Sequence, residues 1–276
     1  MSATQQIYVA PFDAVAARYD ETFSLSKIGQ AQRAAVWTEL AKTFQSGDRT
    51  LEIGCGTGVD ACFLAKRGVH VVACDSSPQM IAVAKHRVEE NGLQQLVQTR
   101  VLRAEDIAAF HGDELFDGAF SNFGVLNCVD DLGRFARDLA QCLKPGASVL
   151  LCWMGPCCFW EMAWYLSHGN RKKAFRRLKR DGVAAKIAEG AFVRVRYPSV
   201  KSLRRAFVPQ FRVTAIKGIG VAVPPSYLEP WAQRHPRLVQ LCEGADSFLG
   251  RCPGVRLLAD HVLVRLQREG PAFEGD

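Results

Sequence analysis

Glu52, Gly54, Gly56 and Gly58 fall within the run Thr50-Leu-Glu-Ile-Gly-Cys-Gly-Thr-Gly58. Glycine has no Cβ, so a G-x-G-x-G turn bends tightly and lets a bound group approach the main chain. An apolar strand leads into the turn, and a helical stretch, Val59 to Arg67, leaves it. A second short strand, His70–Cys74, ends in Asp75, 17 residues after Gly58. Strand, glycine turn, helix, strand, acid is the layout of a nucleoside-binding βαβ unit. The acid at its end can accept hydrogen bonds from both ribose hydroxyls.

Two details bear on the kind of nucleoside. A dinucleotide site reads G-x-G-x-x-G, with its third glycine inside the helix; here Val59 to Ala61 supply none. An acid beside the turn, Glu52, repels phosphates and suits a cation. S-adenosylmethionine carries a sulfonium and an ammonium and no phosphate, so it is the expected cofactor.

Leu51-Glu-Ile-Gly-Cys-Gly-Thr-Gly58 resembles motif I of the class I S-adenosylmethionine-dependent methyltransferases. Four more segments agree in order. Phe12-Asp13-Ala-Val-Ala-Ala-Arg-Tyr19-Asp20 resembles the lead-in of the small-molecule, type 11-like branch. Arg103-Ala104-Glu105-Asp106-Ile107 resembles the end of the third strand, Phe116-Asp117-Gly-Ala-Phe-Ser-Asn122-Phe the fourth, and Leu143-Lys-Pro-Gly146 the turn before the fifth. The resemblance covers roughly residues 10–154. Arg103 stands where the family often has an acid or amide, and Ala147 replaces a second glycine.

The resemblance implies site roles. Gly54, Gly56 and Gly58 cradle the methionine part, Glu52 orients the loop or reaches the ammonium, and Asp75 holds the ribose. Met80, Ala104 and Glu105 face the adenine, and Asn122 contacts the methionine backbone. Methyl transfer is an in-line displacement at an activated carbon, so the protein mainly positions the acceptor and excludes water. A base is needed only where the acceptor must lose a proton. Tyr19, His168, Tyr197 and His235 are the candidates for a base, with Tyr19 and His168 put forward. Tyr197 and Tyr227 sit in proline-containing segments, as turn scaffolding first and acceptor-pocket lining second, and His235 precedes Pro236 as a loop residue.

The elements that must position these residues alternate. Strands are expected at Thr50–Gly54, His70–Asp75, Thr99–Ala104, Phe116–Phe123 and Ser148–Met154, with helices between them. That alternation predicts an α/β fold with a doubly wound, mostly parallel sheet. The resemblance makes it seven-stranded and Rossmann-like, closed by Phe211–Val221 and His261–Gln267 as an antiparallel, hairpin-like edge. Three regions are expected: 1–154 as N-terminal helices and cofactor core, 155–205 as a helical substrate lid, and 206–276 as the rest of the core.

Of 276 residues, 48% are hydrophobic and 23% charged, as in a water-soluble globular chain. No apolar run reaches the ~18–20 residues of a membrane span, and no signal-peptide pattern opens the sequence. The ten cysteines lack metal or disulfide spacing, so no metal is expected and a reducing cytoplasm is. The basic excess, 35 Lys plus Arg against 28 Asp plus Glu, equals the seven basic residues of Arg171–Arg180. That run reads first as a solvated helix face with Ala174, Phe175 and Leu178 packed inward, next as a contact for anionic membrane, then as a site for an acidic substrate, and least as a nucleic-acid clamp. Its neighbour, Cys157 to Leu166, is aromatic and apolar and suits an acceptor with an apolar part. The expected activity is methyl transfer to such a metabolite, at oxygen by family frequency. A tRNA or rRNA methyltransferase and a non-catalytic cofactor-binding scaffold are the alternatives.

Overall fold

The computed structural model describes residues 10–270. In chain order the elements are α1 (Lys27–Thr43), β1 (Arg49–Ile53), α2 (Val59–Ala65), β2 (His70–Asp75), α3 (Pro78–Glu90), β3 (Val97–Val101), β4 (Phe116–Ser121), α4 (Leu132–Cys142) and β5 (Leu143–Met154). Then come α5 (Phe159–Ser167), α6 (Arg171–Ala174), β6 (Val183–Ala188), β7 (Ala191–Val195), α7 (Val200–Phe207), β8 (Phe211–Ile219), α8 (Glu229–Arg234), α9 (Pro236–Leu249) and β9 (His261–Arg268). Seven strands form one sheet in the order β3-β2-β1-β4-β5-β9-β8. β9 alone runs against its neighbours β5 and β8.

The central strands are buried on both faces, which explains their near-continuous apolar sequence. Alternate residues serve opposite layers. Leu51, Val72, Val149 and Leu151 pack toward α4 and α7, while Val71, Ala73, Leu150 and Cys152 pack toward α1, α2 and α3. Serine and aspartate caps start the helices as their sequences predict: Ser26 accepts from the Gly29 amide at 2.9 Å, Ser77 from Met80 at 3.0 Å, and Asp131 from Arg134 at 2.9 Å. Among the described residues no helix is long and apolar enough to cross a membrane.

β8 and β9 pair antiparallel at the sheet edge as expected, with α8 and α9 between them. This pair of helices packs Leu228, Ala232 and Val239 against Ile28 of α1, and Glu229 accepts from the Lys27 and Ile28 amides at 2.9 and 3.0 Å. Two other expectations need correction. The segment after β5 is helical only in its first half, because β6 and β7 then form a separate two-stranded sheet. Its basic run is also turned about: Arg177 is buried with Ala174, whereas Phe175 and Leu178 are exposed. Ion pairing reverses the orientation that side-chain polarity alone suggests. Arg176 bonds Glu161 at 2.6 Å, and Arg177 bridges Glu161 at 2.9 Å and Asp260 at 2.7 Å.

Candidate functional site

The glycine turn leaves β1 where the strand order reverses, between β2 and β4, and open α/β sheets bind ligands at such a switch point. The Gly54 and Cys55 amides donate to the Cys74 carbonyl at 2.7 and 2.8 Å, and the Gly56 amide donates to Asp75 Oδ2 at 2.9 Å. Asp75 Oδ1 accepts from the Ser77 amide at 2.8 Å. Burial pushes the Asp75 carboxyl up from its usual range, and these amide bonds pull against that.

At Gly56, φ is +52° and a Cβ would meet nothing within 4 Å. The space over this residue is therefore open to a ligand. A Cβ at Gly54 would stand 2.1 Å from Val125, and one at Gly58 would stand 2.9 Å from Ala84 of α3. Gly54 and Gly56 line the cavities beside the turn. Gly58 lies outside their lining, and its missing Cβ lets the start of α2 lie against Ala84 of α3.

Three adjoining cavities run along the carboxyl edge of the sheet. The first, about 310 Å³, is bordered by Asp75, Leu102, Ala104 and Glu105. The second, about 540 Å³, is bordered by Gly54, Gly56, Met80 and Asn122. The third, about 790 Å³, is bordered by Phe23, Glu161, Tyr227 and His261. Phe12 touches all three, Asp75 and Val125 join the first two, and Tyr19, Phe123 and Arg176 join the last two. β6 and β7 wall the second cavity with Ala185, Val193 and Val195.

A buried polar network underlies the turn. Asp60 accepts from Arg33 at 2.5 Å, from the Trp37 indole at 2.7 Å and from the Asn122 amide at 2.8 Å. Glu52 is left over. It is buried, its Oε2 has no partner among the described residues, and Asn122 Oδ1 is unpartnered as well. Burial pushes the Glu52 carboxyl well above its usual range, and the Asp60 charge adds to that. Buried acceptors without donors are rare in folded proteins. Asn122 borders the second cavity, where a cationic ammonium would suit its oxygen and fit the expected cofactor, while Glu52 borders none of the three cavities.

The lead-in segment covers this floor. Asp13 accepts from the Ser77 hydroxyl and, at 3.3 Å, from the Gln79 amide. Asp20 accepts from Thr57 at 2.7 Å and pairs with Arg87. Tyr19 is thereby held at the cavities, but burial pushes its hydroxyl up to about 12. Its hydroxyl carries a proton at neutral pH, as an unshifted tyrosine's also does, and can donate to a bound molecule. Phe123, at φ +53°, is a non-glycine residue in the left-handed region, a cost of roughly 1–3 kcal/mol. That backbone puts its ring between the second and third cavities, under the Arg33 guanidinium at 5.0 Å.

His168 is exposed at the end of α5, stacked on Trp164 at 4.3 Å, and borders none of these cavities. The helix turns it outward, which corrects its candidacy. His235 caps α9 in an exposed loop. Tyr197 and Tyr227, read as turn residues, border the second and third cavities respectively. Sequence reasoning missed Arg33, Asp60, Phe123 and His261. Only Asp60 and Phe123 were findable, as neighbours of the glycine turn and of Asn122.

Residues 51–151 match the family model described as a methyltransferase domain. A demethylmenaquinone methyltransferase from Clavibacter sepedonicus is 33% identical over 143 residues, 52% of this chain and 56% of that protein. The chain thus spans about half the length of the curated relative it matches. The structure of the CcbJ methyltransferase from Streptomyces caelestis superposes with a TM-score of 0.62 at 15% identity, over 95% of this chain and 99% of that one. An S-adenosylmethionine dependent methyltransferase from Mesorhizobium loti gives 0.54 at 17% identity, over 84% and 97%. At these identities the structural likeness speaks for the fold. Residues 51–151 are thus similar to a methyltransferase domain, and the glycine turn and its ribose-side acid lie inside that match.

Proposed function

We propose that this chain transfers a methyl group from S-adenosylmethionine to a small, partly apolar acceptor bound in the third cavity. The observation that carries this is the open space over Gly56, whose amide is bonded to Asp75, in a cavity that Asn122 also borders. Asn122 would hold the ammonium and the Glu52 charge would attract it, Asp75 would hold the ribose, and Met80, Ala104 and Glu105 the adenine. When bound, the cofactor supplies a methyl carbon already activated by its sulfonium. The protein's part is to hold the acceptor in line and keep water out. Phe12, Tyr19 and Phe123 are placed for that, since each borders the second and third cavities together.

The relatives are named for demethylmenaquinone, an aromatic ring with an apolar tail. The third cavity, bordered by Phe23, Phe123 and Tyr227, suits an acceptor of that class. Their name favours ring carbon as the methyl-accepting atom, family frequency favours oxygen, and fragmentation of the labelled product decides. The insertion, residues 155–205, acts as the substrate lid in this reading. Against an RNA clamp, Arg176 and Arg177 are spent on Glu161 and Asp260. The outward remainder, Arg171, Lys172, Lys179 and Arg180 beside exposed Phe175 and Leu178, suits an anionic lipid surface that would present an apolar acceptor.

Calorimetric titration with S-adenosylhomocysteine, with NAD and NADP as controls, tests the cofactor site. Micromolar binding of the first alone is expected, and G56V should abolish it. Transfer of labelled methyl to 2-prenyl-1,4-naphthohydroquinone tests the acceptor class. Binding without turnover on this or any metabolite extract would favour a scaffold.

A further inference from the structure

His261 opens β9, is buried, and borders the third cavity across from Phe123, whose ring meets the imidazole edge-on at 5.5 Å. Its Nδ1 is enclosed and lies 3.3 Å from Asp260 Oδ2, with no hydrogen bond formed to it among the described residues. Asp260 cannot swing away. Arg177 donates to its Oδ1 at 2.7 Å and to its carbonyl at 2.9 Å, and Gln32 donates to Oδ2 at 3.2 Å. Those contacts and the adjacent imidazole hold the Asp260 carboxyl, though buried, well below the usual carboxylate range. A fixed carboxylate at Nδ1 sets the tautomer and leaves Nε2 as the nitrogen available to a bound molecule.

We infer that His261 is the general base of this site and that Asp260 is its positioning residue. The inference rests on the methyl-transfer reading above and adds the proton acceptor that neither Tyr19 nor His168 provides. The acceptor is an acidic hydroxyl, of the phenol or hydroquinone class. Its O–H bond breaks, the proton forms an N–H bond at Nε2, and the electron pair stays on the oxygen. That pair, directly or through the ring, takes the methyl. Where the new bond forms at a neighbouring ring carbon, the proton shed by that carbon replaces the one taken from oxygen. Either way one proton passes to water per turnover.

The other charged groups at this cavity come from every surrounding segment. Glu161 of α5 is matched by Arg176 and Arg177. Tyr19 and Tyr227 are phenols, protonated at neutral pH in any case and shifted further upward here. Arg18 and Lys186 are exposed at the rim. None of these is a free base facing the acceptor.

H261Q, with H168Q as a control, is compared with wild type for methyl transfer to 2-prenyl-1,4-naphthohydroquinone as pH is varied. The expected loss in kcat is about 100-fold or more, with the rising limb of the kcat/KM profile gone, S-adenosylhomocysteine affinity kept, and H168Q unchanged. A loss under threefold, or a surviving limb, overturns the assignment. If wild type leaves this probe unmethylated, the quinol reading fails and nitrogen-15 NMR of His261 in the S-adenosylhomocysteine complex judges the dyad alone. A neutral ring protonated at Nδ1 supports it, with that population falling in D260N. An Nε2–H tautomer, or a ring charged throughout the neutral range, overturns it.

Discussion

Glu52 and Asp260 are both buried acids, yet burial acts on them with opposite outcomes. Asp260 has Arg177 and His261 beside it and stays ionised. The arginine nearest Glu52 is already bonded to Asp60, so Glu52 holds its proton to higher pH than an exposed glutamate. Above the ordinary carboxylate range the folded state then binds more protons than the unfolded one, and stability falls as pH rises through that window. E52Q should therefore stabilise the cofactor-free protein at pH 8, by about 1–3 kcal/mol, with the gain shrinking toward pH 4. Denaturant titrations at the two pH values measure it. The same change should weaken S-adenosylhomocysteine, because glutamine keeps an acceptor oxygen but not the charge that attracts an ammonium; a gain that does not vary with pH would remove the unpaired charge as its cause. At this scale the sequence was readable where chemistry is local. Glu52, Gly56 and Asp75 lie in one βαβ unit, whereas Arg33, Glu161 and Asp260 acquire roles only from partners far along the chain.

Elements were readable where hydrophobic period and caps agree. Val71, Ala73, Leu150 and Cys152 mark strands buried on both faces, and Ser77-Pro78 marks the start of α3. β6 and β7 were missed because Val183–Ala188 and Ala191–Val195 are half-exposed and carry little contrast between faces. The lead-in shows what an element does beyond packing. It forms short, irregular turns over 13–24, and acidic side chains tie it to the α2 and α3 side of the site. D20N should remove the charge pairing with Arg87 and weaken the bond from Thr57, two partly buried contacts worth together about 1–3 kcal/mol. The expected result is roughly tenfold weaker S-adenosylhomocysteine binding and faster amide exchange over residues 13–24, with the midpoint of global unfolding nearly unchanged. Unchanged exchange would show that the segment is held by Phe12, Tyr19 and Phe23 alone.

Across the whole molecule, the basic excess that looked like surface charge is partly structural. Arg177 ties the insertion to the sheet, bonding Glu161 of α5 on one side and Asp260 before β9 on the other. A buried ion cluster adds little over a well-packed apolar one, yet deleting one member strands the rest. R177M leaves two buried carboxylates with less compensation and should cost about 3–5 kcal/mol. The loss has a pH sign. Asp260 is held ionised, so its share of stability is present above the ordinary carboxylate range and fades as pH falls through its lowered value. In wild type the insertion should therefore stay on the sheet at pH 4 and loosen only in stronger acid, while in R177M the detachment should be present at both pH 7 and pH 4. Amide exchange over residues 159–195, at pH 7 and pH 4, separates the two. Replacing Lys172, Lys179 and Arg180 by glutamine should move neither stability nor exchange, because those side chains face solvent. If that triple variant detached the insertion as R177M does, total charge rather than the Glu161–Arg177–Asp260 geometry would be holding it down.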